Sequence, residues 1–323
     1  MIVSKICKYL RQCNEFLKVL HIKEGIPMPF LWIDSTYALL RHGILIKQYT
    51  IGSVYKLPHV KLGGVFSQRR LERIIAKYNK SSDVHYLQNK NEFNQHFRKW
   101  VHRQWLDSNS MSEKDFTKLV ENNGRLFVKP LDAQEGEGIR TMRLTANDIH
   151  EAFQTLKREN VIIEEAIVQH QKMNFGNVAV NTVRVITCMD RHGQPHILRA
   201  ALRVGVGDSV VDNFTAGGAL YDIDIETGVI DMKGIGHDYV ELIYHPGTDI
   251  CMLGYQLPNW DVLVIGVKEA AKALPTCRFI GWDVAITETG IELIEGNHNP
   301  GLYTMESIGK PCSYADAVKL FEM

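Results

Sequence analysis

The feature that most limits what this chain can become is a change of character near residue 125. Beyond it lie six apolar runs: RLFVKP (125–130), VIIEEAI (161–167), VNTVRVITCM (180–189), HILRAALRVG (196–205), ALYDIDI (219–225) and GIELIEG (290–296). They are short, rich in β-branched residues and bounded by turn residues, as strands are. Helical spacing returns only near 146–158 and 261–273. Before residue 125, helical spacing dominates: residues 1–24, STYALLRHGI (35–44), SQRRLERIIAKYN (67–79) and KNEFNQHFRKWV (90–101). GIPMPF at 25–30 interrupts the first pair, and Ser67 is placed as an N-cap. An α+β fold is therefore expected, with a mostly helical N-terminal region and a boundary within 80–110.

A chain of 323 residues can bury a sizeable core and hold two or three subdomains. Its net charge is zero but unevenly spread. Residues 1–110 carry 18 Lys or Arg against 7 Asp or Glu, and the remainder 19 against 30. A basic half suits an anionic substrate or membrane surface, and equally a solvated face balanced by the acidic half. The six cysteines lie far apart with no C-x-x-C pair, which speaks against a zinc site or disulfide framework and for a reducing cytoplasm. No apolar run reaches a bilayer's span, and no signal-peptide pattern is present. The first 20 residues pattern as a basic amphipathic helix with Lys5, Lys8, Arg11 and Lys18 on one face. Such a helix can cover a core or touch a membrane.

Four segments carry chemistry. In FVKPLDAQEGEGIRTMRL (127–144) a strand delivers Lys129, and a loop with Gly136 and Gly138 follows. Glycines let a backbone close over phosphates, and lysine supplies a point charge, although G-K-[ST] is absent and a plain hairpin loop has the same look. VIIEEAI ends in Glu164 and Glu165, suited to an adenine amino group or to a solvent-facing strand end. Arg184, Arg199 and Arg203 lie on two strands joined by a His-Gly turn; Arg184 and Arg203 can flank a phosphoryl group. Asn213, Gly217 and Gly218 follow, where paired glycines admit a ligand close to the backbone.

The last segment is GWDVAITETGIELIEGNHNPG (281–301). It forms a strand with Asp283, a Thr-Gly turn, and a returning strand with Glu295 and Asn297. Residues i and i+2 of a strand share a face, so Glu295 and Asn297 project together and the hairpin sets Asp283 opposite Glu295. Three oxygen donors so placed suit Mg²⁺ against a triphosphate. An Asx-type turn at a strand end is the plainer reading of Asn297 and Asn299. His298 beside them is either a turn residue or a substrate contact.

Taken in order, Lys90, Lys129, the 135–138 loop, Glu164-Glu165, Arg184, Arg203, Asn213, Asp283, Glu295 and Asn297 resemble the ATP-grasp superfamily. The closing D…LIEGN…PG is the most specific mark. The R…R…N…GG segment is similar to the glutamate-ligase branch, and LLRHGILIKQY with FSQRRLERIIAKYN resembles the sugar-transfer-associated group. The resemblance implies an ATP-grasp fold of two α+β subdomains gripping ATP. It divides the chain into a helical region at 1–85 and an ATP-grasp domain at 86–323, with a lid of about 110–165 and a catalytic part of about 166–323.

By the same resemblance, Lys90 and Lys129 contact nucleotide phosphates, and the Gly136–Gly138 loop closes over them. Glu164, Glu165 and backbone near Ile167 read adenine. Asp283, Glu295 and Asn297 hold one or two Mg²⁺ ions, which Mn²⁺ can replace. Arg184, Arg203 and Asn213 serve the transferring phosphoryl group. Gln171 stands where many relatives place a ribose-binding glutamate. The implied reaction is ADP-forming carboxylate–amine ligation through an acyl phosphate, joining an amine or amino acid to a carboxylated sugar in cell-surface polysaccharide synthesis. A kinase acting on a sugar hydroxyl and a non-catalytic nucleotide-binding module are the rival readings. Nucleic acid is not expected as a partner, since the basic region lacks interleaved aromatics or a helix-turn-helix pattern.

Overall fold

The computed structural model describes residues 2–131, 138–207, 217–236, 240–301, 306–307, 310–311 and 314–323. The chain opens with helix α1 (Ile2–Glu24), which buries Cys13, Leu17 and Leu20 at helical spacing. Next come α2 (Met28–Tyr37), a π-helical turn (Ala38–His42), α3 (Ile46–Ile51) and two 3₁₀ turns. Together they enclose a small core that includes Leu31, Ile44, Tyr49 and Leu62. The interruption expected at 25–30 is shorter than its prolines suggest. Gly25 takes a left-handed conformation (φ 70°) after α1, and Pro29 then occupies the first turn of α2, where its missing N–H costs nothing. Helix α4 (Gln68–Tyr78) begins after Ser67 as expected, yet the Ser67 hydroxyl makes no capping hydrogen bond and is buried without a partner.

Helices α5 (Ser81–Gln88) and α6 (Lys90–His96) lead into the rest of the molecule. Asn89 caps α6 by accepting from the N–H groups of Asn91 and Glu92. Helix α5 was not expected from the sequence, and α6 is shorter than the 90–101 pattern.

A four-stranded antiparallel sheet follows, from β1 (Trp105–Asp107), β2 (Leu126–Pro130), β3 (Arg140–Met142) and β4 (Val161–Glu165), in the order β1-β4-β2-β3. Its apolar side meets α7 (Glu113–Asn122) and α8 (Ile149–Leu156). There Leu126, Val128, Val161 and Ile163 pack with Phe116, Leu119, Ile149 and Leu156. Alternation then fixes the other side: Phe127, Lys129, Ile162 and Glu164 face away from the helices.

The larger sheet is also antiparallel. Its strands are β5 (Thr182–Met189), β6 (Pro195–Val204), β7 (Ala219–Ile223), β8 (Gly234–Gly236), β9 (Glu241–Leu242), β10 (Phe279–Thr287) and β11 (Gly290–Asn297), in the order β11-β10-β5-β6-β7-β8-β9. One face buries Val183, Val185, Leu202, Trp282, Val284 and Leu293 against Leu263 and Val267 of α9 (Trp260–Lys272). Each such side chain removed from water contributes ~1.5–3 kcal/mol. On the opposite face, Ile186, Cys188 and Phe279 pack under α4 and α10 (Tyr314–Glu322). The remainder of that face carries Arg184, Arg203 and Asp283. A short pair, β12 (Glu306–Ser307) with β13 (Lys310–Pro311), completes the described elements. Among the described residues no helix is long and apolar enough to cross a membrane.

Candidate active site

The centre of the site is the β10–β11 hairpin. Strand β10 alternates, so Trp282 and Val284 enter the core and Asp283 takes the opposite face. Strand β11 would send Glu295 the same way as Leu293, into that core, if it ran without interruption. It does not. Asp283 pairs with Glu295 and Val284 with Leu293, leaving Ile294 as the extra residue of a β-bulge. The bulge reverses the alternation and moves Glu295 and Asn297 to the face of Asp283. Gly296, between them, now lies over the core, where a Cβ would meet Leu87 Cδ2 at 2.6 Å and Trp282 at 3.3 Å.

Asp283 is buried and accepts from both flanking arginines. Arg184, opposite it on β5, donates through Nε and through Nη2 at 2.9 Å, and Arg203 of β6 donates through Nη1 at 2.9 Å. Arg184 also donates to the Pro300 carbonyl at 3.1 Å, fixing the segment after β11. Burial pushes the Asp283 carboxyl up, but the two guanidinium groups outweigh it and hold the group well below the usual range. Glu295 goes the other way: burial first, then the neighbouring Asp283 charge, raise its pKa, although Asn297 donates to it at 3.0 Å. His298 is pushed down by burial, and its carbonyl accepts from Asn79 at 2.9 Å.

A second buried network faces the small sheet. Glu164 of β4 accepts from Lys129 at 2.5 Å, from Arg103 at 2.9 Å and from Asn94 at 3.0 Å. Burial raises the Glu164 carboxyl, and Arg103 and Lys129 more than reverse this, leaving it far below its ordinary value. Arg103 also reaches β11, donating to Glu292 at 2.8 Å and to the Leu293 carbonyl at 2.7 Å. Glu292 in turn accepts from the backbone N–H groups of His102 and Arg103. One buried guanidinium thus joins the polar face of the small sheet to the strand that carries Glu295.

Lys90 reaches the start of the glycine loop, where its Nζ donates to the Leu131 carbonyl at 3.4 Å, and Lys129 is paired with Glu164. Gly138, at the loop's other end, has φ 73° and lies so close to Pro130 that a Cβ would stand 2.9 Å from its ring. Glu165 and Ile167 are partly buried at the exit of β4; the Glu165 N–H donates to the Gln104 carbonyl at 3.0 Å. Gln171 is not gathered with these groups. It is exposed, and its N–H donates to Glu288 at the turn of the β10–β11 hairpin, away from Asp283. Gly136 and Asn213 lie outside the described residues.

Sequence reasoning passed over Arg103, Glu292 and Asn94. For Glu292 a signal existed, because an acid between Ile291 and Leu293 in a buried strand must find a charge partner. The segment VHRQW around Arg103 has no comparable mark.

Hard oxygen donors on adjacent strands fit a divalent cation, and Glu295 and Asp283 repel one another in a way such a cation relieves. Among the described residues no group of three or more His, Cys, Asp or Glu is placed to hold a metal ion. The donor set here is two carboxylates and an amide. Arg184 and Arg203, both paired with Asp283, border it, and guanidinium groups suit phosphate oxygens.

A family model described as sugar-transfer associated ATP-grasp matches residues 69–312. No curated protein matches the sequence. Among solved structures, the ATP-grasp ligase PsnB with a phosphomimetic minimal precursor, Mg and ADP aligns at 16% identity over 69% of this chain and 52% of that one, with a TM-score of 0.39. The ADP complex of PurK, an N5-carboxyaminoimidazole ribonucleotide synthetase, aligns at 12% identity over 76% and 58%, with a TM-score of 0.45. The corresponding synthetase from Thermus thermophilus aligns at 11% over 71% and 50%, with a TM-score of 0.43. The chain spans about half the length of these structures.

Proposed function

The chain belongs to the sugar-transfer associated ATP-grasp family, and from that premise we propose that it is an ATP-dependent, ADP-forming carboxylate–amine ligase. The observation that carries this reading is the hairpin, where a bulge puts Asp283, Glu295 and Asn297 on one face beside Arg184 and Arg203. ATP binding alone does not require such a set.

In this reading a substrate carboxylate oxygen attacks the γ-phosphorus of ATP, the bond to the ADP oxygen breaks, and an acyl phosphate forms. An amine nitrogen then attacks the acyl carbon, inorganic phosphate leaves, and the amine's proton passes to solvent or phosphate. Catalysis of phosphoryl transfer is mainly positioning and charge neutralisation. Arg184 and Arg203, locked by Asp283, present fixed cationic charge that needs no reorganisation. Lys129 and Lys90 hold phosphates at the mouth of the glycine loop. That loop, through Gly136 and Gly138, shields the acyl phosphate from water. Asp283, Glu295 and Asn297 would hold Mg²⁺, or Mn²⁺ in its place, which when bound neutralises phosphate charge.

Glu165, backbone near Ile167 and the strand end of Glu164 are assigned to adenine, and Asn213 to the transferring group. The small sheet serves as the lid and the larger one as the catalytic part. A carboxylated sugar and an amino acid, joined during polysaccharide synthesis in the cytoplasm, are the proposed substrates; the family's description supports the sugar. The test is Mg²⁺-dependent ADP release with a panel of uronic-acid sugars, each with and without pooled amino acids, the product being read by mass spectrometry. Release that requires both partners and yields an amide supports the ligase. A stable phosphoester formed without amine replaces it with a kinase.

A further inference from the structure

Helix α2 buries its one acid beside Leu31 and leaves several large apolar side chains outside. Asp34 and Ser35 are buried, whereas Phe30, Ile33, Tyr37 and Leu40 are 59, 72, 40 and 74% exposed. Spacings of three and four residues align these four along one face of α2 and its π-helical continuation. Val60 is 89% exposed and follows His59, whose ring stacks on Tyr37 with centroids 4.7 Å apart, so it widens the same surface. A single exposed apolar residue needs no explanation, but a contiguous stripe marks a contact surface.

The charges around it say what kind. Between Met28 and Leu40 the only charged residue is Asp34, which is buried, accepts the Tyr49 hydroxyl at 2.5 Å and pairs with His59 at 2.5 Å. Arg41 and Lys61 stand exposed at the stripe's margin. From residue 25 to 71 the sequence holds six Lys or Arg and no acid but Asp34. A face that is apolar at its centre with Arg41 and Lys61 at its margin is complementary to an anionic lipid surface. A two-fold contact between copies of the chain would instead bring one basic rim against another.

We propose that this face docks on anionic membrane lipid. Phe30, Ile33, Tyr37 and Leu40 enter the headgroup boundary while Arg41 and Lys61 meet lipid phosphates. The proposal is independent of the ligase reading and involves a helix other than α1, which buries Cys13, Leu17 and Leu20 in the core.

The test is flotation of the full chain with vesicles of phosphatidylcholine alone and of phosphatidylcholine with about one third phosphatidylglycerol. The wild type is expected to float with the anionic vesicles and to be partly released by salt. Ile33→Glu with Leu40→Glu should lower the bound fraction at least about tenfold. Arg41→Ser with Lys61→Ser should remove the preference for anionic lipid while leaving the stripe intact. Both pairs are on the surface, so an unchanged melting temperature confirms that each variant is folded. The proposal is overturned if the wild type fails to bind anionic vesicles or if both pairs bind as it does. It is also overturned if the chain forms a concentration-dependent dimer that Ile33→Glu dissociates and vesicles do not compete.

Discussion

At the scale of single residues, Asp283 and Glu295 face each other across one strand pair with opposite pKa displacements. A carboxyl raised in the folded state adds stability only while protonated. That contribution is present below the unfolded pKa and lost as pH rises through the folded one. At neutral pH Glu295 therefore costs stability. Asp283, lowered by its arginines, contributes stability above its unfolded pKa and loses it only as pH falls through the folded value. Glu295→Gln is accordingly expected to raise the melting temperature of the ligand-free protein at neutral pH. The gain should shrink in acid, and ATP turnover should fall by at least about a hundredfold. Thermal denaturation at two pH values checks the first part; a variant less stable than wild type at neutral pH would contradict it. The hairpin itself was legible from two strand runs and the turn between them, but an uninterrupted register from Thr287 and Gly290 would set Asp283 opposite Ile294. The bulge at Ile294, which brings Glu295 opposite Asp283 instead, leaves no mark in an apolar run.

At the scale of elements, the site depends on two joints. One is the close passage of β10 beneath Pro300: a Cβ on Gly281 would stand 2.5 Å from Pro300 Cβ and 3.2 Å from Ile186. Gly281→Ala should cost about 1–3 kcal/mol. Because the Pro300 carbonyl anchors Arg184, turnover should fall by more than the loss of folded protein explains. Urea unfolding alongside initial rates separates the two effects. The other joint is Arg103. Arg103→Met removes a guanidinium from both buried carboxylates, leaving Glu164 with Lys129 and Asn94 and Glu292 with backbone donors, and is expected to destabilise by about 3–5 kcal/mol. Adding Glu292→Gln should recover part of this, a coupling that a double-mutant cycle measures. Strict additivity of the two changes would contradict a shared network. The long strands β5, β6, β10 and β11 were legible from their apolar runs. Helix α7 was missed although Ser112 caps it by accepting from the Asp115 N–H and Phe116, Leu119 and Val120 share its buried face. Strand β1 is three residues long and gains its identity only by pairing with β4.

At the scale of the whole molecule, two antiparallel sheets are tied by one buried arginine, with lysines on one side and carboxylates on the other. The α+β class was legible in the change of spacing near residue 125. The tie was not, because Arg103 and its partners Glu164 and Glu292 are brought together only by the tertiary fold. Mg²⁺ with a non-hydrolysable ATP analogue should raise the wild type's melting temperature and leave Glu295→Gln nearly unchanged, since a ligand stabilises only the state that binds it. The most direct test of the central claim uses hydroxylamine in place of the unknown amine, because any acyl phosphate formed is then trapped as a hydroxamate. With Mg-ATP and pooled uronic-acid sugars, the wild type is predicted to yield a hydroxamate together with ADP, and Glu295→Gln to yield neither. ADP accompanied by a sugar phosphoester, with no hydroxamate, would contradict the account.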